Sequence, residues 1–310
     1  MVMKEKTGQT GTLPLSHRIE YSFLRGIGGI VRTLPYKAAL AFGCMLARGS
    51  FFIVRKRVQT AEHRIRLVLG DEIPQERVKS IAWQSWRNIF FSAIEMLRLP
   101  VTDYDFVKQH FDASATISAL HKIKNSGSGG IIALPHCGSW ELAAHMAYFD
   151  GIPLFSIAAD QRNTLVNDEM NRLRRYHGIE TIARGSGTMR QVLRKLKQGG
   201  FLTILPDVRK RTPGLEMDFL GAKANLGEGM ALFAIQTGVP VIPCIVTRKG
   251  WTNHIIQSSE PIWPDKTLDK QQDMIRMTRS ALDYIERQIK TQPEQWFWYN
   301  KRWIHDPVEG

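Results

Sequence analysis

The sequence predicts an α/β fold, a mixed sheet flanked by helices, because short apolar runs alternate with helical stretches along much of the chain. The runs lie at 130–134, 153–159, 201–205 and 239–246, and each is bounded by glycine, proline or a polar residue. Runs of this length without polar alternation are typical of strands buried in a parallel sheet. The stretches between them carry apolar residues at helical spacing, as does a long segment near residues 78–97.

The remaining pattern divides the chain into three parts. A further strand is predicted at 254–257, helices at 226–237 and 269–290, and a single helix over 111–124 that leads into the sheet. We therefore expect a disordered tail at 1–14, a helical membrane-associated region at 15–100 and an α/β domain at 101–310.

The N-terminal region combines apolar bulk with positive charge. Residues 1–66 contain 12 Lys or Arg and 3 Asp or Glu, a difference of +9 in a chain whose formal net charge is +13. Charges interrupt the apolar part, from Tyr21 to Val54, so we expect it to enter a bilayer part way and not to span it. The run Arg55-Lys56-Arg57 follows directly, as in anchors at an anionic cytoplasmic membrane surface. The alternative is a buried amphipathic helix with a solvated basic face.

Composition also argues against some classes of partner. No zinc-finger spacing, RNA-recognition signature or basic recognition helix accompanies the positive charge, so nucleic acid is disfavoured. The three cysteines, Cys44, Cys137 and Cys244, are too few and too far apart for a disulfide framework or a zinc quartet. They favour a reducing, cytosolic environment.

The candidate catalytic residue is His136, which lies where the first predicted strand ends and a helix begins. Ligands of open α/β sheets bind at such strand ends. Ser139 is the expected N-cap of the helix, and Glu141 falls in its first turn. We expect the Glu141 carboxylate to fold back onto the imidazole, fix its tautomer and support the cation formed when His136 takes a proton. The alternative is an accidental pairing of a His and a Glu five residues apart.

The spacing His136-x4-Glu141, with Gly138 and Trp140 inside it, resembles the HX4D/E block of glycerolipid-type acyltransferases. The chain is most similar to the bacterial lipid A late acyltransferases, the lauroyl and myristoyl transferases of lipopolysaccharide assembly. The segment from Pro293 to Trp303 resembles the C-terminal aromatic block of that family, and we expect its aromatic side chains to serve as packing. The resemblance implies the lysophospholipid-acyltransferase α/β sandwich.

The resemblance also marks two further strand ends. The family carries an Arg and an Asn where Arg162 and Asn163 follow the second strand, and an Asp where Asp207 follows the third. Guanidinium groups suit a phosphate of a glycolipid headgroup or of a phosphopantetheine arm. A solvated basic helix face is the alternative, preferred for Arg172 and Arg174. Asp207 is expected to act as a supporting acid or as an organiser of its loop, with a strand-end turn as the alternative. The expected substrate-binding residues are Arg162, Asn163, Asp207, Gly138 and Arg175.

The implied activity is acyl transfer from a thioester to a hydroxyl group of a membrane lipid. His136 acts as general base supported by Glu141, Arg162 holds a phosphate or the developing oxyanion, and neither an acyl-enzyme nor a metal or other cofactor is needed. The expected donor is acyl carrier protein, with coenzyme A as the alternative. The expected acceptor is a glycolipid, a lipid A precursor, at the cytoplasmic face of the inner membrane.

Three alternatives stay open at this point. The acceptor can instead be a phosphatidylinositol mannoside or a lysophospholipid. The reaction can be thioester hydrolysis, in which water replaces the lipid hydroxyl. Finally, the chain can be a non-catalytic adaptor that binds the membrane through its basic N-terminal region.

Overall fold

The computed structural model describes residues 13–307, apart from 159–161 and 177. Most of the predicted disordered tail, residues 1–12, therefore lies outside the described residues. The division into a helical region and an α/β domain at residue 100 stays a prediction, because the helices pack directly onto the sheet.

Four helices form the N-terminal region, and prolines mark three of their starts. They are α1 (Leu15–Thr33), α2 (Tyr36–Ile53), α3 (Arg55–Leu69) and α4 (Gln75–Arg98). Pro14, Pro35 and Pro74 occupy the N-cap positions of α1, α2 and α4, where the missing N–H leaves no helical hydrogen bond unmade. Helix α4 packs against the other three and is buried along most of its second half.

Within the described residues, each helix taken singly is too short or too polar to cross a membrane. Helices α2 and α3 together have the required length and composition, but the chain bends by 93° between them.

The rest of the chain alternates strands and helices. The strands are β1 (Phe111–Asp112), β2 (Gly130–Ala133), β3 (Leu154–Ala158), β4 (Glu180–Ala183), β5 (Phe201–Ile204), β6 (Leu215–Phe219), β7 (Ala222–Leu226), β8 (Val241–Lys249) and β9 (Asn253–Ser258). The helices are α5 (Tyr104–His110), α6 (Ser114–Asn125), α7 (Trp140–Phe149), α8 (Thr164–Arg175), α9 (Thr188–Lys197), α10 (Gly229–Thr237) and α11 (Lys270–Thr291). Short 3-10 turns follow at Leu99–Val101 and Pro293–Gln295.

Seven strands form one mixed sheet in the order β1-β9-β8-β2-β5-β3-β4. All neighbouring pairs are parallel except β8 with β9, which are joined by a tight turn and run antiparallel. Helices α6 and α7 cover one face together with α1, α2 and α4, whereas α9, α10 and α11 cover the other. The predicted α/β class with a mixed, helix-flanked sheet is therefore confirmed.

Two local predictions are wrong. Residues 111–124 do not form one helix, because Phe111 and Asp112 pair with His254 and Ile255 of β9 before α6 begins. The helix expected near Leu226 begins only at Gly229, since Leu226 closes the β6–β7 hairpin opposite Leu215.

A buried ion pair ties the helical region to the sheet. Both Nη atoms of Arg248, on β8, lie 2.7 Å from the carboxylate oxygens of Glu95, on α4, and both side chains are 1% exposed. The Tyr36 hydroxyl donates to the same carboxylate at 2.5 Å. Burial alone would raise the pKa of Glu95, but the charge of Arg248 and the contact with His254 hold it well below its usual range. The pair is therefore ionised inside the protein.

Candidate functional site

The site forms where two adjacent parallel strands end. In the register of β2 and β5, Ala133 lies opposite Ile204. Three residues beyond each of these positions the chain carries His136 and Asp207, and each follows a Leu-Pro pair. Neighbouring parallel strands end at the same edge of the sheet. Since His136 and Asp207 are equally far along the chain from the paired residues Ala133 and Ile204, they lie next to each other.

The contact between them is a charge-assisted hydrogen bond. His136 Nδ1 lies 2.8 Å from Asp207 Oδ1, and the His136 backbone N–H donates to Asp207 Oδ2 at 2.7 Å. The Asp207 side chain is 1% exposed, whereas that of His136 is 24% exposed. Burial would raise the pKa of Asp207, but His136 and the hydrogen bonds that the carboxylate accepts lower it below its usual range.

This geometry assigns the tautomer of the imidazole. An ionised Asp207 only accepts, so Nδ1 carries the hydrogen and Nε2 has the free lone pair. None of the hydrogen bonds among the described residues uses Nε2. The Trp140 ring stands edge-on to the imidazole, with centroids 5.2 Å apart. The imidazole is therefore fixed on one side and reachable on the other, as a general base must be.

The expectation that Glu141 holds the imidazole is wrong. Its carboxylate accepts from Arg174 Nε at 3.2 and 3.1 Å, and Arg174 Nη2 also contacts it. Both side chains are largely buried, so the preference for Arg174 as a solvated residue is wrong as well. The first turn of α7 faces α8, and the guanidinium captures the carboxylate there. A catalytic role for Glu141 stays a prediction.

Gly138 brings the chain against β8. Its φ is +56°, and a Cβ at this position would lie 2.4 Å from the backbone oxygen of Val246. Its N–H donates to Gln295 O and its carbonyl accepts from Ser92 Oγ, so its backbone groups are used within the fold. Ser139 is the N-cap residue of α7, as predicted, although its side chain makes no capping hydrogen bond. The substrate-binding role proposed for Gly138 stays a prediction.

The predicted binding residues on the second strand end have different environments. Asn163 is buried, caps α8 and donates from Nδ2 to Glu20 Oε2 at 2.7 Å, which joins α8 to α1. Arg162 is exposed beside it, two strands from β2, or about 10 Å along the sheet. Arg175 is exposed at the last residue of α8, whose 12 residues extend about 18 Å. Arg162 thus precedes the start of α8, and Arg175 is at the opposite end of that helix. The binding roles of all three stay predictions.

Cys137 is not placed to act as a nucleophile. Its side chain is 1% exposed, and its backbone pairs with Trp296 in an antiparallel bridge. Burial, together with the nearby charge of Asp207, raises the pKa of the thiol well above its usual range. The thiol is therefore protonated at neutral pH, as expected for a buried cysteine.

The sequence reasoning missed Trp296 as a residue of this site. The indole N–H donates to Asp207 Oδ2 at 2.7 Å, and the side chain is 2% exposed. The only sequence signal was the aromatic block, which is equally typical of packing. For the pairing of His136 with Asp207, the signal was the Leu-Pro pair that precedes both residues.

An apolar cavity of about 40 Å³ adjoins the site behind Trp140. It lies between α6, α7 and the sheet, and its lining includes Leu120, Leu134, Ala143, Ala147 and Val246. A larger cleft of about 390 Å³ lies between α11 and the β6–β7 turn, but charged residues line it and neither His136 nor Asp207 is among them. His136 and Asp207 do not line the apolar cavity either, but Trp140 both lines it and contacts the imidazole.

Comparison with known proteins supports the predicted resemblance. The model of the bacterial lipid A biosynthesis acyltransferase family matches residues 11–305. A phosphatidylinositol mannoside acyltransferase of Mycolicibacterium smegmatis is 22% identical over 309 residues, covering 96% of this chain and 95% of the relative. A phosphatidylinositol mannoside acyltransferase of Mycobacterium tuberculosis is 21% identical over 231 residues, covering 73% of this chain and 68% of the relative. Since the family match extends over nearly the whole chain, this protein belongs to the bacterial lipid A biosynthesis acyltransferase family and is an acyltransferase.

Proposed function

We propose that this enzyme transfers a fatty acyl chain from an acyl thioester to a hydroxyl group of a membrane glycolipid, with His136 as general base. The observation that carries the proposal is the hydrogen bond of 2.8 Å between His136 Nδ1 and the buried Asp207. It leaves Nε2 unused on a partly exposed ring that contacts Trp140, a residue that also lines an apolar cavity. A base beside an apolar cavity suits an alcohol and a fatty acyl chain.

The reaction follows from these positions. The lipid hydroxyl oxygen attacks the thioester carbonyl carbon while Nε2 takes its proton, which is worth about 10² to 10⁴ in rate. Asp207 stabilises the imidazolium that forms, and it stays ionised because its environment lowers its pKa. The tetrahedral intermediate then expels the thiolate, which takes the proton from Nε2. The products are an ester and a free thiol, and the imidazole returns to its starting state.

The apolar cavity is the proposed acyl site. Trp140 contributes both to its lining and to the face of His136, so a chain entering there would place its carbonyl carbon near Nε2. The cavity is narrow as it stands, at about 40 Å³, so the acyl chain has to widen it by displacing side chains. Three alanines of α7, Ala143, Ala144 and Ala147, line it and leave the room into which larger neighbours can move.

Membrane binding is proposed for the outer face of α1 and the end of α2. Leu15, Ile19 and Phe23 of α1 are 60–69% exposed and follow one another at four-residue spacing, which places them on one helix face. Phe52 and Ile53 are 64% and 83% exposed, immediately before the exposed run 55–57 of three basic residues. Apolar side chains next to basic ones favour an anionic lipid surface, consistent with the cytoplasmic face of an inner membrane.

The acceptor belongs to the glycolipid class in either version of the proposal. Family membership favours a lipid A precursor, whereas the names of the relatives favour a phosphatidylinositol mannoside. Acyl carrier protein is the proposed donor because the chain is basic and that carrier is acidic, and coenzyme A is the alternative. In both donors a phosphopantetheine arm holds the thioester.

The test measures acyl transfer by the purified enzyme. The donor is a labelled acyl group carried by acyl carrier protein or by coenzyme A, and the acceptors are a lipid A precursor, a phosphatidylinositol mannoside and a lysophospholipid. His136→Ala should lose about 10² to 10⁴ in rate, whereas His63→Ala, an exposed histidine on α3, should retain full activity. Near-normal transfer by the His136 variant would contradict the assignment of the base. Release of free fatty acid without any acceptor would instead identify a thioester hydrolase.

A further inference from the structure

The C-terminal strap, residues 293–299, contacts the chain around His136 through its backbone. Cys137 and Trp296 form an isolated antiparallel bridge, and the Phe297 N–H donates to His136 O at 3.0 Å. Gly138 N–H donates to Gln295 O at 3.2 Å. The backbone of the catalytic loop, residues 134–139 between β2 and α7, is therefore held by a segment about 160 residues further along the chain.

Helix α4 fixes this strap from behind. Ser85 Oγ donates to Trp296 O at 2.5 Å, and Asn88 Nδ2 donates to Glu294 O at 3.1 Å. The Gln295 side chain bonds both backbone groups of Arg248 on β8, at 2.9 and 3.0 Å. A backbone held at this many points gives the Trp296 side chain one orientation.

That orientation directs the Trp296 indole N–H at Asp207, the partner of His136. Asp207 Oδ2 accepts from Trp296 Nε1 and from His136 N, both at 2.7 Å, while Oδ1 contacts His136 Nδ1 at 2.8 Å. Of the three donors, only Trp296 comes from outside the catalytic loop. Hydrogen bonds to one oxygen of a carboxylate withdraw charge from the whole group, so each weakens the attraction that the group exerts on a neighbouring cation.

Three other ionisable side chains near the site are either protonated or paired with a different residue. The Cys137 thiol is buried and protonated. The Glu141 carboxylate is paired with Arg174, and that of Glu95 with Arg248. The His136 imidazole is therefore the ionisable side chain in direct contact with Asp207.

We propose that Trp296 is a positioning residue for the reaction: its indole N–H holds Asp207 in place and sets how strongly the carboxylate attracts a proton to His136. The proposal rests on the proposed function only where it concerns rate. The hydrogen bond and its effect on the protonation of His136 belong to the protein without substrate.

The test compares Trp296→Phe with Trp298→Phe. Trp298 is a matched control, because its indole N–H also donates within the strap, to Pro293 O at 2.7 Å, and its side chain is fully buried, but it does not touch Asp207. The pH midpoint of His136 is followed by NMR with isotopically labelled histidine. In Trp296→Phe it should move upward by roughly half a pH unit to one unit, since Asp207 regains charge. In Trp298→Phe it should stay where it is in the wild type.

The rate measurement separates this proposal from the proposed function. In Trp296→Phe, the acidic limb of the pH profile of kcat should shift by the same amount as the pH midpoint of His136. The KM for the donor should not change. A midpoint that moves while the limb does not would support the role of Trp296 and overturn His136 as the base. A midpoint that is the same in wild type and Trp296→Phe, or that moves equally in Trp298→Phe, would overturn the proposal for Trp296.

A measurement on the wild type covers the case in which Trp296→Phe does not fold. The indole proton of Trp296 should change its chemical shift with the same pH midpoint as His136, because the two donors share one carboxylate. The indole proton of Trp298 should not respond. A Trp296 proton that is insensitive to that titration would overturn the proposal.

Discussion

Asp207→Asn is the substitution that tests the geometry of the site most directly. Oδ2 accepts two N–H groups that cannot reverse, from the His136 backbone and the Trp296 indole. The asparagine oxygen must therefore take the Oδ2 position, which places the NH₂ group opposite His136 Nδ1. Nδ1 then has to accept, so the hydrogen moves to Nε2 and the lone pair needed for catalysis is lost.

The expected loss follows from that exchange of tautomers. General base catalysis contributes about 10² to 10⁴ in rate, and the same exchange in serine protease triads lowers kcat by about 10⁴. We therefore expect kcat to fall by about 10³ to 10⁴, or about 4 to 5.5 kcal/mol in activation free energy. Because the amide keeps the shape of the carboxylate and satisfies the three groups around it, the free energy of unfolding should change by less than about 2 kcal/mol.

The assay is single-turnover acyl transfer with saturating donor and acceptor, accompanied by urea unfolding of each variant. Asp218→Asn, on the exposed β6–β7 hairpin, is the matched control and should have wild-type activity.

Glu141→Gln decides between the two carboxylates. It should lose part of the stability given by the Arg174 contact, about 1 to 3 kcal/mol, but less than about tenfold in kcat, a factor worth 1.4 kcal/mol. A fall of 10³ or more in Glu141→Gln with little change in Asp207→Asn would refute the assignment of Asp207.

Three other predictions concern the acyl cavity, the membrane face and the buried ion pair. Ala147→Phe fills part of the cavity, so the preferred acyl chain should shorten, with about tenfold or more discrimination for each methylene excluded; an unchanged chain-length profile would contradict the acyl site. Phe23→Asp should weaken binding to anionic vesicles in co-sedimentation by about 10- to 100-fold, whereas Ser22→Asp, which adds the same charge beside the apolar stripe, should weaken it much less. Glu95→Gln should lower the free energy of unfolding by about 3 to 5 kcal/mol because it leaves Arg248 buried without its partner, while replacing both residues with Met should be much milder. Since the folded-state pKa of Glu95 lies below that of the unfolded chain, the pair stabilises the fold above pH of about 4 and this stabilisation is lost as pH falls; a wild type and a Glu95→Gln variant with the same acid dependence would contradict this.

Local pattern was sufficient to predict most elements of the sheet. The strand before His136 and the helix after it are encoded by contiguous residues, an apolar run closed by Pro135 and followed by helical spacing. The same holds for β3, β5, β8 and the helix α11. Prolines also stand directly before α1, α2 and α4, a position that suits the start of a helix.

The partner of His136 was not accessible in the same way. Strands β3 and β4 lie between β2 and β5 in the sequence, so only the order of the strands in the sheet brings Asp207 beside His136. Glu141 is closer in sequence but is drawn to Arg174, which lies 33 residues further along the chain. Proximity in sequence was therefore a poor guide to which carboxylate contacts the imidazole. The β6–β7 hairpin was missed because its turn, Leu220-Gly221, has positive φ at both residues but lacks the Asn-Gly or Asp-Gly pair that usually marks such turns.

The strap has a consequence for how the enzyme is made. All seven strands of the sheet are synthesised before residue 293, yet the clamp on His136 and the indole donor to Asp207 come after it. A nascent chain that has folded its sheet therefore lacks these contacts until the strap leaves the ribosome and docks on α4. A chain that ended just after α11 would contain every strand of the sheet and the contact between His136 and Asp207, but neither the clamp on the His136 backbone nor the indole donor to Asp207.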